Sequence, residues 1–153
     1  MFTKTKISAV ISLFLFLSLT AATFSKGPNP EPRQDCYVLI DNAPNVVCRD
    51  STTLVAATTT IVGIDYSGSL YAGTTLNWTT TNSQGCTGGA SYGSPGMPSG
   101  WNDVVSSAKG YQGCNNNPHW ESTNYGGASI TCMPNCSTMG AIDNKTSSVK
   151  WKP

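Results

Sequence analysis

Asn102-Asp103-Val104-Val105-Ser106-Ser107 and Asp143-Asn144-Lys145-Thr146-Ser147-Ser148 are one pattern written twice: two Asn/Asp residues, two unconstrained positions and two serines. Each copy follows an apolar residue, Trp101 or Ile142, and runs on to a lysine and an aromatic, Lys109 with Tyr111 and Lys150 with Trp151. A single copy is a turn entering a polar strand, because Asn and Asp side chains bond their own backbone and start turns. A second copy makes it an internal repeat, and repeats are read before local structure.

Outside the repeat, the beginning of the chain reads as a leader. Lys4 and Lys6 form a short basic segment, residues 7–19 are almost uninterruptedly apolar, and Thr20-Ala21-Ala22 offers a small-residue cleavage site. That order predicts a signal peptide over 1–22, cut after Ala22; a membrane anchor needs about 20 apolar residues. A Pro-rich flexible arm is expected over 23–35, an N-terminal extension with short strands over 36–57, and the main domain over 58–151. No later apolar run is long enough to span a membrane, so a secreted, extracellular protein is expected. Without Lys4 and Lys6, the nine basic residues fall to seven against eight acidic ones. Clustered Lys/Arg, the footprint of nucleic-acid binding, is absent.

All six cysteines (Cys36, Cys48, Cys86, Cys114, Cys132, Cys136) lie beyond the leader. An even number in an oxidising compartment predicts disulfides, in any of 15 pairings for three bridges. Cys36 with Cys48 is the first expectation, as the staple of a hairpin. Zinc is disfavoured: only Cys132 and Cys136 are close in sequence, their spacing departs from the usual CxxC, and the single His119 has no ligand-like partner.

The remainder predicts an all-β chain. No sustained apolar period of 3.6 follows the leader, whereas β-branched and aromatic runs alternate with turn clusters. Strands are expected at 37–40, 46–48, 58–64, 70–78, 104–111, 128–133 and 145–151. Residues 83–100, rich in Gly, Pro and Ser, form a long irregular loop that Cys86 could tie down.

A second repeat precedes each copy of the first. Tyr66-Ser67-Gly68-Ser69-Leu70-Tyr71-Ala72-Gly73 and Trp120-Glu121-Ser122-Thr123-Asn124-Tyr125-Gly126-Gly127 both read aromatic, four residues, Tyr, any residue, Gly. That spacing suits a hairpin folded back over its own sheet, with the aromatics packed across the fold and Gly at a backbone angle that a Cβ resists. The order hairpin, Asn/Asp-Ser stretch, hairpin, Asn/Asp-Ser stretch resembles the βγ-crystallin superfamily. The resemblance implies a disulfide-braced, two-motif Greek-key β-sandwich, with motif 1 over 58–111 and motif 2 over 112–151. One departure is length: 29 positions separate Gly73 from Asn102 and 16 separate Gly127 from Asp143, so motif 1 carries a 13-residue insertion. Residues 35–57 have no counterpart in a minimal two-motif domain.

In microbial members of that family such stretches bind calcium in pairs, so the resemblance implies two Ca²⁺ sites. It assigns the side chains of Asn102, Asp103, Asp143 and Asn144, the carbonyls of Val104 and Lys145, and the hydroxyls of Ser106 and Ser147. Carbonyls near Ser67 and Glu121 complete the shells by the same analogy, and Ser107 and Ser148 become braces of the folded hairpins. Oxygen donors of this kind are what calcium takes. The competing reading is a purely structural pair of turns. An enzyme is not expected, since His119 sits between Pro118 and Trp120 without a partner for nucleophilic catalysis. The alternative function is a secreted inhibitor or toxin, metalloprotease-inhibitor-like or killer-toxin-like, acting through 83–100 on an extracellular protein or cell-wall target; deleting that loop is expected to spare calcium binding. Glycosylation sequons stand at Asn77, Asn135 and Asn144, and Asn77 is the expected acceptor.

Overall fold

In the computed structural model the described residues are 35–41, 45–49 and 59–153. The expected leader and most of the Pro-rich arm lie outside them. Among the described residues ten strands run in chain order: β1 (Asp35–Leu39), β2 (Asn45–Arg49), β3 (Thr60–Tyr66), β4 (Thr75–Thr80), β5 (Tyr92–Ser94), β6 (Ser107–Gly110), β7 (Asn117–Ser122), β8 (Gly126–Cys132), β9 (Asn135–Cys136) and β10 (Ser148–Trp151). Only single 3-10 turns interrupt them, at Ser69–Tyr71, Thr123–Tyr125 and Gly140–Ile142.

The strands form two sheets, ordered β2-β1-β4-β3-β6-β9 and β5-β10-β7-β8. The third strand of each motif crosses over: β5, from motif 1, pairs with β10, and β9, from motif 2, pairs with β6. Each sheet therefore contains one strand of the opposite motif, and neither motif closes its sheet alone. The extension, which sequence left unplaced, adds β1 and β2 to the first sheet, with β1 parallel to β4 and antiparallel to β2. That register sets Cys36 opposite Cys48. Cys36 is disulfide-bonded, while the Cys48 side chain lies outside the described residues. The other bridges are Cys86–Cys114 and Cys132–Cys136.

Leu70 does not begin a strand as the alternation suggested; β4 starts at Thr75, and 69–71 is the turn of the folded hairpin. In both hairpins two consecutive residues adopt left-handed backbone, Leu70 and Tyr71 in one, Asn124 and Tyr125 in the other. Such residues cost roughly 1–3 kcal/mol each and persist only where their surroundings hold them. Here a serine from the far end of the motif does so. The Ser107 hydroxyl accepts from Tyr71 N at 3.0 Å and donates to Gly68 O at 2.6 Å. Ser148 repeats this with Tyr125 N at 3.1 Å and Ser122 O at 2.7 Å. Gly73, inside the strand expected over 70–78, has φ +85, and Gly127 has φ +77; a Cβ there would meet Ser67 or Ser122. Tyr66 packs edge-on to Tyr71, Trp120 packs edge-on to Tyr125, and Lys109 and Lys150 lie 4.1 and 4.0 Å from the two tyrosine rings.

Between the sheets lies a core of Val38, Val62, Leu76, Trp78, Val105, Met139, Ile142, Val149 and Trp151. Trp151 comes so close to β3 that a Cβ at Gly63 would strike its ring. The core also holds charge-bearing groups. Asp65 on β3 and His119 on β7 are fully buried, with Nε2 of His119 2.8 Å from Oδ1 of Asp65. Trp78 Nε1 donates to Oδ2 of the same carboxylate at 2.8 Å. His119 thus has the partner that its sequence context did not reveal, across the sandwich from it.

Candidate metal centre

The two Asn/Asp-Ser stretches leave different motifs and meet as reciprocal loops. Trp101 and Ile142 are buried and anchor each entrance, while the second unconstrained positions, Val105 and Thr146, are also buried. Between these anchors Asp103 and Asn144 take left-handed backbone, φ 57 and 54, which Asn and Asp tolerate better than most residues. Asp103 N donates to Thr146 O at 3.1 Å, and Asn144 N donates to Val105 O at 3.0 Å. Each loop therefore satisfies the other's backbone.

The serines that follow are held with the same symmetry. Ser106 N donates to Tyr66 O and Ser147 N to Trp120 O, at 2.9 and 2.8 Å. Ser106 O accepts from Met139 N, and Ser147 O accepts from Met97 N, at 3.0 and 2.9 Å. Met97 follows β5 and Met139 follows β9, so the exchanged strands deliver these donors to the opposite motif. Sequence alone did not show them, because neither methionine belongs to a repeated motif.

All eight assigned residues, Asn102, Asp103, Val104, Ser106, Asp143, Asn144, Lys145 and Ser147, thus belong to one paired-loop structure. The side-chain contact that crosses between motifs is Ser106 Oγ donating to Asn144 Oδ1 at 3.2 Å. The acids hold their neighbours instead: Asn102 Nδ2 donates to Asp103 Oδ2 at 2.8 Å, and Asn144 Nδ2 to Asp143 Oδ2 at 3.3 Å. Lys145 Nζ is 3.7 Å from Glu121 Oε1, a largely exposed pair whose net contribution is small.

The donor set suits a hard cation. The paired loops carry carboxylate, amide and hydroxyl oxygens, with the Ser106 hydroxyl and the Asn144 amide oxygen in contact and no free thiol among the described residues, and calcium takes such oxygens. Asp143 Oδ1 is buried without a hydrogen-bond partner, a situation that costs about 1–3 kcal/mol unless something meets the oxygen. Among the described residues no three His, Cys, Asp or Glu side chains cluster for an ion. Ligation here would therefore draw on amide, hydroxyl and backbone oxygens.

The 83–100 segment is less free than its composition suggested. It contains β5, is bridged by Cys86–Cys114, and reaches motif 2 through Met97 N to Ser147 O and Asn124 N to Pro95 O. Deleting it would strip a strand from the second sheet and a donor from Ser147, so it could not leave the paired loops untouched. Asn77 is a second correction. It is 5% exposed in β4, and its Nδ2 donates to Cys36 O and Thr75 Oγ1, which leaves no room for a glycan.

No family model matches the chain, and no curated protein matches it. Among solved structures, it is similar to a βγ-crystallin from an archaeon, at 23% identity over 60% of this chain and 96% of that one, with a TM-score of 0.43. A βγ-crystallin from Ciona intestinalis is 19% identical over 59% and 98%, TM-score 0.44. A βγ-crystallin domain from Flavobacterium johnsoniae is 18% identical over 59% and 91%, TM-score 0.38. The chain's own strand order, serine-braced hairpins and paired loops make the fold a two-motif Greek-key β-sandwich, enlarged by an N-terminal hairpin and a long loop in its first motif.

Proposed function

We propose that this is a secreted calcium-binding βγ-crystallin-like protein in which calcium acts as a structural stabiliser. The observation that carries the reading is the reciprocal pairing of the two loops, with Ser106 of one motif against Asn144 of the other. Asn102, Asp103, Asp143 and Asn144 would hold the ions with their side chains, Val104 and Lys145 with their carbonyls, and Ser106 and Ser147 with their hydroxyls. Bound calcium would supply positive charge to oxygens of both motifs at once and so tie them together.

The chain's own residues set the strength. With few formal charges around each site, affinity falls in the weak extracellular range, on the order of 10⁻⁴ to 10⁻³ M. At tenfold the dissociation constant, one site adds about 1.4 kcal/mol to stability, which is the scale of a lock on the fold. A non-catalytic role agrees with His119, whose ring is buried with both nitrogens occupied.

Calorimetric titration of calcium into chelator-treated full-length protein tests the proposal. Two equivalents with a rise in melting temperature are expected, and Ser106→Ala and Ser147→Ala should each weaken one site without unfolding the domain. A titration without heat, on protein that remains folded, defeats it.

A further inference from the structure

We infer that Asn135 is the N-glycan acceptor of this protein, and that the glycan shields the β9 edge of the first sheet; this rests on the proposal that the chain is secreted. Three asparagines stand in sequons, and the fold separates them. The Asn77 amide is buried and makes two hydrogen bonds. Asn144 Nδ2 is turned toward Asp143 Oδ2, and its Oδ1 accepts from Ser106. Asn135 is exposed and makes no side-chain hydrogen bond to the described residues. Ser137, the hydroxyl residue of its sequon, is exposed as well.

The surroundings give the glycan something to cover. Asn135 lies on β9, the last strand of its sheet, whose outer side pairs with no strand among the described residues; open edges of this kind invite pairing with another chain and are commonly blunted. Among the described residues the exposed large apolar side chains are Leu70, Tyr111 and Met133, at 76, 38 and 72% exposure. All three are tied to this edge by the backbone: Leu70 N bonds Ser137 O, Gly110 N, next to Tyr111, bonds Pro134 O, and Met133 is two residues from Asn135. Covering an edge strand and its apolar flank is a role that a bulky, solvated oligosaccharide fills.

The transfer uses a lipid-pyrophosphate-linked oligosaccharide as co-reactant. The Asn135 amide nitrogen forms a bond to C1 of the sugar as the C1–O(phosphate) bond breaks. The lipid pyrophosphate leaves with the electron pair, and the amide proton passes to a base.

The full chain, expressed with its own leader in a glycosylating eukaryotic host, provides the test by mass spectrometry of protein from the medium and from the cells. One glycan is expected, removable by peptide N-glycosidase, lost in Asn135→Gln and in Ser137→Ala, and retained in Asn144→Gln. Deglycosylated protein should show more self-association than the modified form in sedimentation. Protein that reaches the medium unmodified, or that keeps its glycan in Asn135→Gln, overturns the assignment while leaving secretion standing. Protein confined to the cytosol overturns both, and a deglycosylated form as monomeric as the modified one overturns the shielding role.

Discussion

Replacing His119 with alanine tests the least expected feature of the core. Its Nδ1 is 3.0 Å from Asn117 O, and a carbonyl can only accept, so Nδ1 carries a hydrogen. Its Nε2 faces the Asp65 carboxylate at 2.8 Å, so a proton lies between them, and Trp78 Nε1 completes the arrangement on the other oxygen. Removing the imidazole leaves a carboxylate fully buried with one neutral donor. Breaking one partner of a buried pair costs about 3–5 kcal/mol, a large part of the roughly 5–15 kcal/mol that keeps a domain folded. Asp65→Ala should cost a similar amount, because it orphans both Trp78 Nε1 and His119 Nε2. Asp65→Asn should not: its amide oxygen still accepts from Trp78, its NH₂ donates to an imidazole protonated on Nδ1, and one leftover amide hydrogen limits the loss to about 1–2 kcal/mol. Urea unfolding followed by tryptophan fluorescence measures all three. Unfolding of His119→Ala within about 1 kcal/mol of wild type, or an Asp65→Asn as damaging as Asp65→Ala, would refute a bracing role for this pair.

Ser107→Ala and Ser148→Ala each orphan a backbone donor and acceptor in a folded hairpin, so each should lower stability by about 2–4 kcal/mol in thermal or urea unfolding, to similar extents. Replacing Cys86 and Cys114 together opens a loop of sequence separation 28 and should cost about 3–4 kcal/mol in the chain-entropy treatment, read by the same melts. Burial, then hydrogen bonding and charge repulsion from Tyr111, push the Tyr66 hydroxyl up to about 12 from 10.0. Because the folded form keeps this proton while the unfolded chain releases it, the stability it contributes is complete below about pH 10 and is lost as pH rises through 12; ultraviolet titration of the folded protein should show a tyrosine ionisation near 12 that Tyr66→Phe removes. Asp41 bears on the acid side: burial alone would raise its carboxyl, but bonds from Thr81 N and the Thr80 and Thr81 hydroxyls hold it below its ordinary value. Its contribution should therefore be lost as pH falls through the acidic range, and Asp41→Asn should flatten that part of the stability profile.

What could be read from the sequence was what each motif carries in itself. The folded hairpins follow from an aromatic, a tyrosine and a glycine at fixed spacing, and the serine braces from their place at the end of each repeated stretch. The exchange of third strands was not legible, because β5 has three residues and β9 two, too short for any alternation. The Asp65–His119 pair belongs to two motifs 54 positions apart. Its signal was an acidic side chain at an inward position of an apolar strand, which demands a buried partner, and the chain has a single histidine to offer.

The misreading of Asn77 has the same origin. By the symmetry of the two motifs β4 corresponds to β8, and β8 is an edge strand with most of its residues exposed. Thr75-Leu76-Asn77-Trp78-Thr79 alternates as an edge strand should, polar on one face and apolar on the other, and nothing in that stretch shows that its polar face is covered. The extension changes the environment of the strand without changing its sequence. With β1 beside it, Asn77 Nδ2 finds Cys36 O and Thr79 Oγ1 finds Val38 O at 2.9 Å, while Thr80 and Thr81 beyond them hold Asp41. The outward polar row becomes a set of hydrogen bonds to the added hairpin, and burial extends to both faces of β4. The extension attaches where polar side chains can satisfy it, which is why it follows one motif's second strand and leaves β8, with Gly126, Gly127, Ala128 and Ser129 along its first half, at the edge of its sheet.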